Sequence, residues 1–460
     1  MSAGGVIMLG FAGTELPEWV AARLRGGVGG VCLFGDNIES PAQVRALTAD
    51  IRQANPHAVI AIDEEGGDVT RLYYATGSPY PGNAILGRID DEAYTASVAE
   101  SVGHELRSVG VNLTFAPDID INSNPDNPVI GVRSFGSTPE LVARHAAAWV
   151  RGLQSTGVAA SVKHFPGHGD TAQDSHLALP VVDRSGAELA ARELVPFAAA
   201  VAAGTATIMT SHILLPQLDA DAPATLSPRI LQGLLRDEFG FDGLIVSDAL
   251  DMKGASEQIG IPEAAVRAII AGCDLLCIGP ANTDEQIGGI EAAIDAAVTA
   301  GRISPSRLRD AADRVLALAR SYPAEAQTGP HDEPQCDLDR TIAAFDVRTA
   351  TRPGPTATIV ALETPTNIAV GAAPWGPPAH VRVSEGDRLP DVAGQLVVIG
   401  RDNHRHGWVR DLIDEARATS SDVVVVDMGW PSDDRAYADV ATFGASRHVG
   451  DALAKWWAQE

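Results

Sequence analysis

Eight short apolar segments recur along the first two thirds of the chain, and they constrain its fold more than any other feature. They are GVIMLGF, GGVCLF, AVIAID, VNLTFAP, AASVKHF, TATIMTSH, LIVSD and CDLLCIG, between residues 5 and 279. Stretches with helical periodicity lie between them; Val98, Val102 and Leu106, for example, fall on one face of a helix. Continuous apolar strands that alternate with helices are typical of a parallel sheet covered by helices. Eight such units predict an α/β fold, a (β/α)₈ barrel of the TIM type.

The alternation stops at residues 321–340, SYPAEAQTGPHDEPQCDLDR, where proline, glycine and acidic residues are typical of a linker. The apolar segments ATIVALE, QLVVIG and DVVVVDMG then follow, separated by stretches with a helical pattern. We therefore predict a barrel domain over residues 1–322, a linker over 323–342, and a second, smaller α/β domain over 343–460.

The net charge of −26 excludes some classes of partner. Without a basic patch, the chain is expected to bind neither nucleic acid nor an anionic membrane surface. No segment approaches the roughly 20 apolar residues that a membrane span needs. The first residues lack a basic stretch followed by an apolar run, and the four cysteines lack CxxC spacing. These features predict a cytoplasmic protein with reduced thiols; a secreted protein whose leader has been removed is the alternative.

Polar residues follow the predicted strands. In a barrel of this type, catalytic residues lie just past the carboxyl ends of the strands. The polar residues at these places are Asp36, Asp63, Asp118, Lys163, His164, Ser211, His212 and Asp248. If the barrel closes, we expect several of them to converge at one mouth.

The segment KHFPGHGDTAQDSH, residues 163–176, concentrates the titratable groups. Lys163 is one of only three lysines in a chain that otherwise uses arginine, which suggests that this position requires the compact point charge of an ammonium group. His164 and His168 have a spacing that could bind a metal on a helix, but the proline and glycines between and around them disfavour a helix. No cysteine or glutamate nearby completes a zinc site, so we predict no metal here. The GK[ST] ending of a phosphate-binding loop is also missing.

Two elements of this pattern indicate acid–base and nucleophilic chemistry. Asp174 can accept a hydrogen bond from one imidazole nitrogen of His176, which would raise the basicity of the other nitrogen. An aspartate that caps a turn beside a surface histidine is the alternative for this pair. Asp248 directly follows an apolar strand and could project into the barrel mouth as a nucleophile. An aspartate nucleophile with a separate acid/base fits retaining glycoside hydrolysis, although a carboxylic acid usually takes the place of the histidine.

Together these residues resemble glycoside hydrolase family 3, in its N-acetyl-β-glucosaminidase branch of the muropeptide-recycling type. The segment at 163–176 is similar to that branch's signature, roughly K-H-[FI]-P-G-[HD]-G, four variable positions, then D-S-H. The stretches IDEEGGDVTR, NPVIGVRSFG and VSDALDM agree with the same family. The resemblance covers residues 6–278. It extends more weakly to VVVVDMGWP and ATFGASR, which are similar to the family's second α/β domain.

The resemblance implies a role for each matching residue. Asp248 would be the nucleophile and His176 the acid/base, with Asp174 orienting the imidazole. Asp63 would hydrogen-bond sugar hydroxyls. Further residues would line or support the sugar subsite: Arg71, Arg133, Lys163, His164, Met209, Ser211 and His212. His168 and Asp170 are assigned to the structure of the loop.

The function predicted from this resemblance is a retaining exo-β-N-acetylglucosaminidase that removes terminal β-linked GlcNAc. Its small-molecule substrate would be a cell-wall muropeptide or a chito-oligosaccharide, and no metal or organic cofactor is expected. A phosphorylase is the first alternative, because a neutral histidine does not repel an incoming phosphate. A sugar-binding protein without catalysis is the second. A β-glucosidase of the same family is disfavoured, since that branch lacks the Asp–His pair on this loop.

Overall fold

The computed structural model describes residues 3–175, 177–327, 336–348, 352–354, 356–392 and 394–459. These residues form two compact units. The barrel unit comprises the described residues of Met1–Glu65, Glu92–Ile130 and Gly136–Glu333, and the second unit those of Gly66–Asp91, Gly131–Phe135 and Pro334–Glu460. The predicted domains, 1–322 and 343–460, are continuous in sequence, whereas these units are not.

The barrel unit contains eight parallel strands, one in each predicted segment. They are β1 (Ile7–Leu9), β2 (Gly30–Leu33), β3 (Val59–Ile62), β4 (Leu113–Thr114), β5 (Ala159–Phe165), β6 (Thr207–Thr210), β7 (Leu244–Val246) and β8 (Leu276–Cys277). Their order is β7-β6-β5-β4-β3-β2-β1-β8, and a parallel bridge from Val246 to Leu275 joins the two ends of this series. The predicted TIM-like (β/α)₈ barrel is confirmed.

Burial explains why the strands are apolar without alternation. Every residue of β1–β8 is buried, because one face of each strand lines the barrel and the other is covered by helices. Alternate strand residues form one buried cluster that fills the interior, with Met8, Cys32, Ala61, Leu113, Ala159 and Met209 among its members. The barrel is therefore a packed core, and its chemistry is left to the residues at the strand ends.

The helices occur in the following order along the chain. They are α1 (Glu18–Arg25), α2 (Pro41–Ala54), α3 (Asn83–Ile89), α4 (Glu92–Ser108), α5 (Pro139–Ser155), α6 (Gly186–Ala191), α7 (Leu194–Ala202), a π-helix (Arg229–Glu238), α8 (Lys253–Ser256), α9 (Ile261–Ala271), α10 (Asp284–Thr299), α11 (Pro305–Ser321), α12 (Leu338–Ala343), α13 (Gly407–Thr419) and α14 (Arg447–Ala458). Helices α3 and α12–α14 belong to the second unit. In the described part of the chain, no helix is both long enough and apolar enough to cross a bilayer.

The second unit is built on a mixed six-stranded sheet. Its strands are β9 (Asp346–Val347), β10 (Thr358–Leu362), β11 (Val381–Val383), β12 (Leu396–Gly400), β13 (Val423–Asp427) and β14 (Val440–Ala441), in the order β11-β10-β12-β13-β14-β9. All neighbours are parallel except β14 and β9. The three predicted segments form β10, β12 and β13, so the second α/β fold is confirmed. Helix α12 begins within the predicted linker and ends one residue beyond it, and residues 328–335 of that linker are outside the described residues.

The segment Gly66–Asp91 forms hydrogen bonds with residues more than 360 positions away. Asp68 Oδ1 accepts a hydrogen bond from the Ala445 amide at 2.8 Å, and Ser446 Oγ donates to the Tyr80 carbonyl at 2.7 Å. Ala84 and Ile85 are buried in the same cluster as residues of β12, β13 and α14. These contacts make the segment part of the second unit, although it begins immediately after the end of β3 and Glu65.

Candidate active site

Lys163, in β5, pairs with two carboxylates that follow β3. Its side chain is 3% exposed, and Nζ lies 2.8 Å from Asp63 Oδ1 and 2.7 Å from Glu65 Oε1. The structure thus brings together two predicted sugar-binding residues, Lys163 and Asp63. Glu65 was not predicted, although its position two residues after Asp63 in IDEE could have indicated it. Asp63, whose side chain is 22% exposed, offers carboxylate oxygens that suit recognition of hydroxyl groups.

Asp120 anchors the next pair of polar residues. Its Oδ2 lies 2.7 Å from His164 Nδ1, and its Oδ1 accepts the backbone N–H of His168 at 2.6 Å. Asp120 is fully buried. Because a carboxylate beside an imidazole holds the proton on the nearer nitrogen, Nδ1 of His164 carries a hydrogen and the ring is oriented. Asp120, the second aspartate of APDID after β4, is a supporting residue that was not predicted.

Asp118, Asp120 and His164 also form a group that could hold a metal ion. One ligand atom from each lies within 4.8 Å of the others. Hydrogen bonds within the group already orient these side chains, because Asp118 Oδ1 accepts the Asp120 amide at 3.0 Å and Asp120 Oδ2 lies 2.7 Å from His164 Nδ1. The arrangement is therefore suited first to holding His164.

His168 supports the loop that follows β5. Its Nε2 lies 3.0 Å from Ser175 Oγ, and its Nδ1 lies 2.8 Å from Thr171 Oγ1. Burial and the neighbouring His164 lower the pKa of His168 to about 4, although Asp120 and Asp248 act in the opposite direction. The ring is therefore neutral at neutral pH and acts as a hydrogen-bonding support for Ser175.

Asp170, the other loop residue, is held by two arginines. Its Oδ2 lies 2.8 Å from Arg184 Nε and 2.8 Å from Arg192 Nη2. Asp174 is half-buried, and its carbonyl accepts the amides of Leu177 and Ala178 at 3.0 and 3.1 Å. The predicted acid/base, His176, lies outside the described residues.

The segment that carries Asp248 contacts the loop that carries Asp174. The amide of Gly254 donates to the carbonyl of Ser175 at 3.3 Å. A Cβ atom placed on Gly254 would lie 3.1 Å from that carbonyl oxygen and 3.0 Å from the Cβ of His212. Asp248 Oδ1 accepts the amide of Ala249 at 2.8 Å, which fixes the orientation of its carboxylate. The two regions predicted to react with a substrate thus meet at one end of the barrel.

Two predicted substrate-binding residues have their described contacts inside the barrel. Ser211 Oγ donates to the carbonyl of Phe165 at 2.9 Å, and Met209 is 3% exposed within the core cluster. These contacts are those of supporting residues. Their assignment to substrate binding stays a prediction.

Arg71 and Arg133 belong to the second unit. Arg71 Nη2 donates to the carbonyl of Ala369 at 2.8 Å. Arg133 ends the short 3₁₀-helix Gly131–Arg133, and its carbonyl accepts from Asn83 Nδ2 at 2.7 Å. Both side chains are largely buried. Their sugar-binding role stays a prediction.

Comparison with known families decides what kind of protein has this site. The family described as Glycosyl hydrolase family 3 N terminal domain matches residues 12–318, which include seven of the eight barrel strands, β2–β8. The chain belongs to glycosyl hydrolase family 3. It is therefore a glycoside hydrolase, and the resemblance found in the sequence is confirmed.

Similar proteins and a similar solved structure agree with this assignment. Beta-hexosaminidase A of Pseudoalteromonas piscicida is 39% identical over 282 residues, which are 57% of this chain; the chain spans 47% of that relative's length. The beta-hexosaminidase of Methylococcus capsulatus is 42% identical over 271 residues, 58% of this chain and 79% of that protein. The structure of a glycoside hydrolase family 3 beta-N-acetylglucosaminidase from Paenibacillus sp. str. FPU-7 superposes with a TM-score of 0.88 at 34% identity, covering 98% of this chain and 95% of that chain.

Proposed function

We propose that this family 3 enzyme is a retaining exo-β-N-acetylglucosaminidase that removes terminal β-linked GlcNAc from cell-wall muropeptides or chito-oligosaccharides. The names of its relatives, beta-hexosaminidase and beta-N-acetylglucosaminidase, support the sugar. The observation that carries the proposal is the hydrogen bond from Gly254 to Ser175, because it links the segments that carry Asp248 and the Asp174–His176 pair. A cytoplasmic location stays a prediction.

In the first step, the Asp248 carboxylate attacks the anomeric carbon as the bond to the leaving-group oxygen breaks. Protonated His176 gives its proton to that oxygen, and a covalent glycosyl–Asp248 ester remains. In the second step, neutral His176 takes a proton from water, whose oxygen attacks the anomeric carbon and releases the Asp248 carboxylate. Two inversions give net retention. Asp174 would hold the imidazole in the tautomer that both steps need.

The ion-paired cluster of Lys163, Asp63 and Glu65 would bind the non-reacting part of the sugar. Asp63 is the most exposed of the three, with a side-chain exposure of 22% against 3% for Lys163 and 4% for Glu65. Asp63 would accept hydrogen bonds from sugar hydroxyls, and Lys163 would hold its carboxylate in place. Charge-assisted hydrogen bonds of this kind position a neutral sugar strongly.

The configuration of the first product tests this function. With an aryl β-GlcNAc substrate, we expect proton NMR at early times to show the β anomer of GlcNAc, before mutarotation produces the α anomer. Initial appearance of the α anomer would contradict a double displacement. The same reaction in phosphate buffer distinguishes the phosphorylase, because GlcNAc-1-phosphate would then replace free GlcNAc. Binding of GlcNAc without any turnover would favour the non-catalytic alternative.

Gly254→Ala tests the contact between the two catalytic segments. We expect this variant to lose kcat by roughly tenfold to 100-fold, because the added methyl pushes on the Ser175 carbonyl and on His212 and shifts reacting groups by a few tenths of an ångström. Steady-state kinetics with an aryl GlcNAc measures the loss. Gly289→Ala in α10 is the matched control, since a Cβ there meets nothing within 4 Å. Equal activity of the two variants would argue against a functional contact.

A further inference from the structure

His212 has hydrogen-bond partners on the segment that carries Asp248. It lies two residues beyond the end of β6, and its side chain is fully buried. Its Nε2 is 3.0 Å from the carbonyl oxygen of Ala249, and its Nδ1 is 2.9 Å from Thr225 Oγ1. A carbonyl oxygen can only accept, so Nε2 carries the hydrogen of this bond. His212 therefore donates to the residue next to the proposed nucleophile.

Two threonines complete a path back to Asp248. Thr225 Oγ1 lies 2.8 Å from Thr210 Oγ1, and Thr210 Oγ1 accepts the backbone amide of Asp248 at 3.4 Å. The path starts at the amide of Asp248 and returns, through His212, to the carbonyl of Ala249. The hydrogen-bonded path therefore begins and ends on two consecutive residues, Asp248 and Ala249, and it fixes the backbone that follows β7 at both of them.

The hydrogens in this path can be assigned for both protonation states of His212. With Nδ1 unprotonated, Thr225 donates to Nδ1, and Thr210 donates to Thr225. With Nδ1 protonated, His212 donates to Thr225, whose hydroxyl can turn to the carbonyl of Ser211 at 2.8 Å. In each state Nε2 still donates to Ala249. The hydrogen bond from His212 Nε2 to the Ala249 carbonyl is thus independent of the charge on the ring.

Ala249 connects His212 to the carboxylate of Asp248 by hydrogen bonds. Its amide donates to Asp248 Oδ1 at 2.8 Å, while its carbonyl accepts from His212. On the other side, the close approach of Gly254 restricts the Cβ of His212, since even a methyl group on Gly254 would come within 3.0 Å of it. The imidazole is therefore fixed between the threonines, Ala249 and α8.

We propose that His212 is a positioning residue that sets the orientation of Asp248 for attack on the sugar. The proposal rests on the proposed role of Asp248 as the nucleophile. Without the hydrogen bond from His212, the Ala249 peptide can rotate, and the Asp248 carboxylate then occupies several orientations. Because His212 acts through Ala249, its loss reduces the rate of forming the glycosyl–enzyme more than the affinity for substrate.

Two isosteric variants separate the Ala249 contact from the threonine contact. In His212→Gln the side-chain amide reaches the position of Nε2 and can donate to Ala249; in His212→Asn it reaches only the position of Nδ1. We expect His212→Gln to keep kcat within roughly tenfold, and His212→Asn to lose about 100-fold with little change in KM, as displacements near 1 Å do. Pre-steady-state release of the aryl group measures the first chemical step directly.

A buried histidine elsewhere in the barrel unit supplies the control. His145 in α5 is fully buried, and its Nδ1 lies 2.8 Å from Thr95 Oγ1. His145→Asn should lower Tm about as much as His212→Asn and leave the first step unchanged. Equal first-step rates for His212→Gln and His212→Asn would overturn the positioning role. If Asp248→Gly remained active, the proposed function would fail instead, whatever the His212 variants showed.

Discussion

Asp248→Gly is expected to lose turnover on the order of 10⁵-fold with an aryl β-GlcNAc substrate. The variant removes the group that forms the covalent bond, and loss of a nucleophile costs an enzyme more than loss of almost any other residue. The fold should survive, because Asp248 lies beyond the end of β7 and is not one of the fully buried side chains of the barrel. Steady-state kinetics and Tm measure the two effects separately.

Azide should partly restore the activity of this variant. The glycine leaves space on the α face of the sugar. An azide ion can occupy this space and attack the anomeric carbon directly, in place of the missing carboxylate. A single displacement inverts the configuration, so the product is the α-glycosyl azide. Asp36→Gly is the control, since Asp36 follows β2 but is exposed. Near-normal turnover of Asp248→Gly, or a β-azide product, would show that another residue is the nucleophile.

The barrel could be predicted because its signal is local. A strand buried on both faces needs a continuous apolar run, and each of the eight runs formed a strand. The same logic found β10, β12 and β13 but not β9, β11 and β14. All three have only two or three residues, and β9 and β11 are also partly exposed, so their sequences contain no apolar run long enough to indicate a strand.

The division into units could not be predicted, because it depends on contacts between distant residues. Residues 66–91 follow a barrel strand in sequence, but Asp68 and Ser446 are among the residues that bind this segment into the second unit. Nothing near Asp68 in the sequence specifies a partner almost 400 positions away.

The residues of the candidate active site could also be predicted only in part. Asp63 and Lys163 were found from their places at strand ends, and the structure pairs them at 2.8 Å. Glu65 and Asp120 were missed because their partners lie on other strands, so only the closed barrel shows what they contact. His212 was placed near the site from sequence, but its link to Ala249 depends on how β6 and β7 end. Strand-end polarity therefore indicates where chemistry occurs, and the fold decides which residues support it.

His176→Gly should separate substrates by their leaving groups. A poor leaving group, as in a GlcNAc disaccharide, needs the proton from His176, so its kcat/KM should fall about 1000-fold, within the usual range for a general acid. A strongly activated aryl leaving group needs no proton, so the glycosyl–Asp248 ester should form at a nearly normal rate. Its hydrolysis should then be slow, because no base activates water. We expect a burst of aryl product, followed by slow turnover.

Azide distinguishes this variant from Asp248→Gly by stereochemistry. Azide needs no general base and attacks the glycosyl–Asp248 ester from the face opposite the aspartate, so the second inversion gives the β-glycosyl azide. One additive thus yields opposite anomers from the two variants. His104→Gly is the control, because His104 is an exposed residue of α4 that pairs only weakly with Glu100 at 3.6 Å. If His176→Gly lowered kcat/KM equally for both classes of leaving group and gave no burst, His176 would not be the acid/base. The assignment of Asp248 as the nucleophile would not be affected.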